Sequence, residues 1–291
     1  MPAWLTSTAR FLREVLDEWS KDDVQSLGAA LAYYTIFSMA PLLVLAIAIA
    51  GLAFGREAAQ GEIVAQLNGT IGEVAARTVE DLIERASRPS SGVPATLASL
   101  AMMFFGASGA FGQLQKSLNR IWDVKRTRQG VRGQVRRRLA AFSMILTIGV
   151  LLFLSLAASA ALSGLHGWLA RSFPLLARVL PLANFALSFA VVTALFAMIY
   201  KVLPEARIEW RDVWVGAAVT ALLFTIGKGL IAFYLGRASV ASLYGAAGSL
   251  VLLLLWIYYS AQLLLLGAEF TEVWSRRRGS RSPQGSAAPG H

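Results

Sequence analysis

Residues 238–268 read ASVASLYGAAGSLVLLLLWIYYSAQLLLLGA, a run without one Asp, Glu, Lys or Arg. A helix that crosses the hydrocarbon core of a bilayer needs about 20 mostly apolar residues, and this run exceeds that length. It lacks the polar and apolar alternation of a barrel strand, so it reads as helix. Working outward, further charge-free runs occupy 24–55, 89–115, 139–170, 179–200, 213–227 and 229–236, so that 167 of the 291 residues are charge-free and all 44 charges fall in the remainder. The chain is 56% apolar and 15% charged, against roughly 45–50% and 25% in soluble domains. A soluble globular domain is excluded. The predicted fold is all-α and polytopic, with six transmembrane helices at about 27–54, 94–115, 139–163, 182–203, 213–235 and 243–268, the fifth carrying Lys228.

The segments around these spans have their own patterns. In residues 1–26, Trp4, Leu5, Phe11, Leu12, Val15, Leu16 and Trp19 gather on one helical face, which predicts an amphipathic helix lying in the membrane interface. Ser20 with Asp23 reads as a capping box opening the first span, and Pro41 in that span predicts a kink. Residues 56–87 form the one sizeable outer loop. Ile63, Leu67, Ile71, Val74, Thr78 and Leu82 recur there every three or four positions, predicting one or two amphipathic helices that end before Arg88 and Pro89. The membrane domain covers 27–274, and the tail 275–291, Arg-rich and then rich in Ser, Pro and Gly, is expected to be disordered.

Lys and Arg set the orientation. Nineteen of them fall in the alternate segments that share a side with the termini, and seven on the other side. The positive-inside rule puts both termini in the cytoplasm. The loop 116–138 holds nine of these bases and one acid, Asp123. Flanked by spans, it reads as an orientation signal whose Lys125, Arg126, Arg128, Arg136, Arg137 and Arg138 meet anionic lipid headgroups, in preference to a nucleic-acid surface. No nucleic-acid partner is expected, and a homo-oligomer stays open.

Polar and small residues inside the spans are the candidates for function. Gly106, Gly109 and Gly112 leave one face of the second span nearly bare, which signals close helix packing or, alternatively, local unwinding beside a cavity. Lys228 is the fixed charge within a span and either snorkels outward or lines a cavity. Tyr33, Tyr34, Gln113, Lys201, Gln262 and Glu269 stand toward the cytoplasmic ends of their helices, and with Pro41 and Tyr244 they make up a candidate substrate path or polar cluster. Their plainer reading is an interfacial belt with a Lys201–Glu269 ion pair. Cysteine is absent and the two histidines are His166 and His291, which removes disulfide frameworks and Cys-based metal sites. No metal, no cofactor and no enzymatic activity are expected. No G-x-x-x-x-G-K-[ST] loop occurs, so active transport has to be ion-coupled or powered by a partner.

Five separated stretches, read together, carry a resemblance: ALAYYTIFSMAP at 30–41, LQKSLNRIW at 114–122, WRDVW at 210–214 followed by Gly216 and Ala217, Gly227 with Lys228, and SLYGAAGSLVLLLLWIYYSAQLLLLGAEFTEV at 242–273. In these the chain resembles the YihY/BrkB family of bacterial inner-membrane proteins, over roughly residues 10–275. The resemblance implies a six-helix protein of the cytoplasmic membrane and no established activity. Family members have carried the labels "virulence factor" and, by misattribution, "ribonuclease BN". This chain has no acid and base pair near the basic loop for phosphodiester hydrolysis. Two functions are carried forward: transport or flipping of a lipid or other amphiphilic envelope component, in which Lys228→Ala is expected to impair movement, and a non-transporting scaffold for envelope assembly.

Overall fold

The computed structural model describes residues 3–71, 73–87, 109–124, 180–206, 208–237 and 248–277. Among them regular structure is helical: α1 (Ala3–Lys21), α2 (Val24–Phe54), α3 (Arg56–Ile71), α4 (Glu73–Ser87), α5 (109–121), α6 (Leu180–Val202), α7 (Trp210–Arg237) and α8 (Gly248–Arg277). Three helices among the described residues are long and apolar enough to cross a membrane: Pro181–Val202, Trp210–Leu230 and Gly248–Arg277. Most of the expected span 94–115, and all of 139–163, lie outside the described residues, as do the six basic lipid contacts from Lys125 to Arg138.

Local chemistry sets the helix ends. Gly55 takes φ 85°, a conformation that costs glycine least. Its N–H bonds to the Gly51 carbonyl at 3.0 Å, closing α2 and letting α3 start at the next residue. The expected capping box at Ser20 is not formed. Asp23 is the N-cap of α2 in a left-handed conformation without a side-chain cap bond, and its N–H meets the Ser20 carbonyl instead. Asp123 ends α5 at φ 49°. The bonds Asp123 N to Arg120 O and Val124 N to Asn119 O make a Schellman pair, so the single acid of the basic loop serves as a helix terminator. α2 continues as helix through Pro41.

Two compact units are present. One contains α1 to Glu18, the end of α5 from Leu118, α6, α7 to Thr225 and α8 from Leu266. Phe11 and Val15 of α1 pack there against Leu266, Phe270, Val273 and Trp274 of α8. Phe11 meets Phe270 edge-on at 5.1 Å and Trp274 at 6.3 Å. Arg276 Nη2 reaches Glu14 at 2.7 Å, Glu18 at 3.1 Å and Glu272 at 3.8 Å, and Arg277 also pairs with Glu14. These pairs explain why α8 runs on to Arg277, into the stretch expected to be disordered from 275. Residues 278–291 lie outside the described residues.

The other unit contains α2, α3, α4, α5 up to Ser117, the end of α7 and the first part of α8. Its core joins Ala32 and Ile47 of α2, Val79 and Ile83 of α4 and Leu253 and Ile257 of α8, with Ile63 and Leu67 of α3 against them. Of the expected stripe, Thr78 and Leu82 are half-buried, and their neighbours Val79 and Ile83 are the fully buried residues. With Ala76 these two form the buried face of α4.

Candidate functional site

In the first unit, α6 and α7 form a hairpin across the segment 203–209. Asn119 Oδ1 accepts the Glu205 N–H at 2.8 Å. The Lys201 ammonium donates to the Ile208 carbonyl and lies 5.5 Å from the centre of the Trp210 ring. Lys201 is thus held by its own hairpin, where an ion pair with Glu269 was the plain expectation.

Above this turn Tyr200 and Thr220 bond at 3.0 Å, and Thr220 Oγ1 is 2.7 Å from the Gly216 carbonyl. A carbonyl only accepts, so the Thr220 proton goes to Gly216 and Tyr200 donates to Thr220. On α8, Thr271 Oγ1 donates in the same way to the Gly267 carbonyl at 2.6 Å. The two Gly-xxx-Thr pairs interlock. A methyl on Gly216 would overlap Thr271, and one on Gly267 would overlap Thr220 and the Tyr200 hydroxyl. Since 216 meets 271 and 220 meets 267, α7 and α8 are antiparallel here. Glu269 is 1% exposed and lies on the far side of α8 from the Gly267–Thr271 row. Asp212 and Glu272 are buried too. Glu272 pairs with Arg276, and Asp212 stands in the first turn of α7, the favourable end of a helix for an acid.

In the second unit the amide of Gln262 donates to the carbonyls of Val24 and Gln25 at 3.4 and 3.3 Å, directly over Gly28. Gly109 on α5 lies against the Tyr34 ring and Ser38, whose hydroxyl accepts the Ala110 N–H at 3.3 Å. Gln113, one turn further along, is buried. Gly109 and Gly112 are both helical, so the close-packing reading holds for Gly109, while a side chain on Gly112 would enter open space. Tyr33 and Tyr34 are 59% and 44% exposed and stack edgewise with each other at 5.6 Å, Tyr33 also leaning on Phe37. Gly227 packs on Tyr259 and Leu263 of α8, and its neighbour Lys228 is exposed.

Of the expected polar set, the structure brings Tyr34 and Gly109 together. It places Tyr33, Tyr34, Gln113, Lys228 and Gln262 in one unit and Lys201 and Glu269 in the other. Pro41 lies within α2. Gly106 and Tyr244 lie outside the described residues. The residues missed by sequence reasoning are Ser38, Tyr200, Thr220 and Thr271. The last two carried a signal, a Gly four residues before each Thr inside an apolar run. Among the described residues no group of three His, Asp or Glu side chains is placed to hold a metal ion.

The family model described as "Virulence factor BrkB" matches residues 15–291. A UPF0761 membrane protein of Verminephrobacter eiseniae (strain EF01-2) is 31% identical, the alignment covering 92% of this chain and 62% of that protein. A UPF0761 membrane protein of Legionella pneumophila subsp. pneumophila is 29% identical over 96% of this chain and 66% of its own length. One from Vibrio parahaemolyticus serotype O3:K6 is 29% identical, covering 93% and 86%. The chain therefore spans somewhat less than two thirds of the length of the first two relatives. No solved structure matches it.

Proposed function

The chain belongs to the BrkB family of membrane proteins, and on that premise we propose that it moves or flips an amphiphile across the bacterial cytoplasmic membrane. The cargo is a lipid or another envelope component with a polar headgroup, and the protein carries it without acting as an enzyme. In this reading α2 and the charge-free runs 89–115 and 139–170 join α6, α7 and α8 to make six spans, with both termini in the cytoplasm.

The observation that supports movement of an amphiphile is the pair of exposed phenols on α2. Tyr33 stands nine residues from Val24, roughly 14 Å along the helix axis, within a helix that has no charge. A hydroxyl turned toward hydrocarbon is costly unless something polar meets it, and a passing headgroup meets that need. Gly109 keeps α5 close behind Tyr34, which fixes the ring on this face. Lys228, exposed on α7, is a cation for an anionic headgroup.

The test is a proteoliposome assay with fluorescent phospholipid and a membrane-impermeant quencher. Tyr33→Phe with Tyr34→Phe is expected to slow movement about tenfold, equivalent to about 1.4 kcal/mol. Lys228→Ala is expected to slow it with membrane insertion intact. Unchanged rates in both variants would sink the path. A second reading, a non-transporting scaffold, draws on the close Gly-xxx-Thr packing of α7 and α8, and an inactive wild-type protein in the same assay would select it.

A further inference from the structure

We propose that α1 is a sensor of anionic phospholipid, inserting Leu12 and Leu16 among the acyl chains while Arg10 and Arg13 contact the headgroup phosphates. The helix has three sides. Phe11, Glu14, Val15 and Glu18 face α8, through the apolar cluster and the Arg276 and Arg277 pairs. Leu12 and Leu16, one turn apart, are 51% and 57% exposed on the next side. Arg10, Arg13 and Asp17 are exposed on the third. A helix that served only to cover α8 would carry polar residues at 12 and 16.

Two independent features of the same unit place that leucine stripe at a bilayer surface. First, α1 is fastened to α8 from Leu266 to Arg277, across the point where its long charge-free run ends at Glu269. Second, α7 runs antiparallel to α8 through the Gly216–Thr271 and Thr220–Gly267 contacts. The start of α7 is therefore at the same end as the C-terminus of α8, and that start exposes Trp210 and Trp214, the residue type that collects at headgroup level.

Charge selects the lipid. Glu14 and Glu18 are occupied by Arg276 and Arg277, so the outward charge of α1 at these positions is two arginines against Asp17. A basic face beside an apolar stripe binds an anionic interface in preference to a neutral one.

The chain has no cysteine, so single nitroxide labels report each position cleanly. Leu12→Cys, Leu16→Cys and Val15→Cys in the full chain would be labelled in nanodiscs of phosphatidylcholine alone or mixed with phosphatidylglycerol. At positions 12 and 16 we expect collisions with oxygen to exceed those with a water-soluble nickel chelate severalfold when phosphatidylglycerol is present. That ratio should fall in phosphatidylcholine alone, and Arg10→Gln with Arg13→Gln should remove the dependence on lipid charge. Position 15 should be shielded from both reagents, which verifies that α1 is folded onto α8. Three results would each overturn the proposal: labels at 12 and 16 open to both reagents, meaning water; labels shielded from both, meaning a second copy or a protein partner; or equal depth in the two lipid mixtures, meaning no recognition of charge.

Discussion

Gly216 and Gly267 are the positions where α7 and α8 leave no room for a side chain. Gly216→Ala sets a methyl into Thr271, including its Cβ, and is expected to destabilise the protein by about 1–3 kcal/mol, the usual range for overpacking, as a lowered midpoint of thermal unfolding in detergent. Adding Thr271→Gly transfers the bulk from one helix to the other and should recover most of the loss. Gly28→Ala makes the control. The group it strikes is the mobile end of the Gln262 side chain, which can swing aside for the loss of two long hydrogen bonds, so a cost of about 1 kcal/mol is expected. The glycines themselves were visible in the sequence. Which threonine each one faces was not, because partner choice between helices depends on the crossing, and the crossing is set by all the contacts together.

Among the elements, α1 shows how far a hydrophobic pattern reaches. The apolar face was legible, but it was read as one surface meeting lipid, whereas Phe11 and Val15 are buried against α8 and Leu12 and Leu16 remain outside. Periodicity registers that a residue avoids water and is silent on whether protein or lipid replaces it. Phe11→Ala removes the edge contacts to Phe270 and Trp274 and is expected to weaken docking of α1 by about 3 kcal/mol. Hydrogen exchange of the amides of α1 should then accelerate by about two orders of magnitude. Arg276→Gln should have the smaller effect, about 1 kcal/mol, since its side chain is 40% exposed. On α4 the spacing of four was right and its phase one residue off at two positions, Val79 and Ile83 being buried where Thr78 and Leu82 were expected.

For the whole molecule, membrane residence followed from the segregation of charge, and helical class from the absence of alternation within the uncharged runs. The orientation rests on the Lys and Arg balance and is open to a direct check. Ser20→Cys and Gly279→Cys should react with a membrane-impermeant maleimide from the same side of the membrane, the cytoplasmic one, in inverted vesicles and not in intact spheroplasts. The polar set was harder to read. A tyrosine such as Tyr200, bonded to Thr220 and fully buried, and one such as Tyr33, exposed on its helix, look alike in a one-dimensional string.

The interlocked glycines and threonines also constrain how α7 and α8 can move. Each helix carries one notch, its glycine, and one tooth, its threonine, four residues apart, and each tooth sits in the other helix's notch. A slide of one turn in one direction sets Thr220 against Thr271, and in the other it leaves the two glycines face to face with both threonines unseated. The contact behaves as a detent: it holds one register against gradual drift and yields, if at all, in a discrete jump. A cycle that carries cargo past these helices would use the crossing as a fixed pivot, and gears its displacement to the ends that lie farther from it.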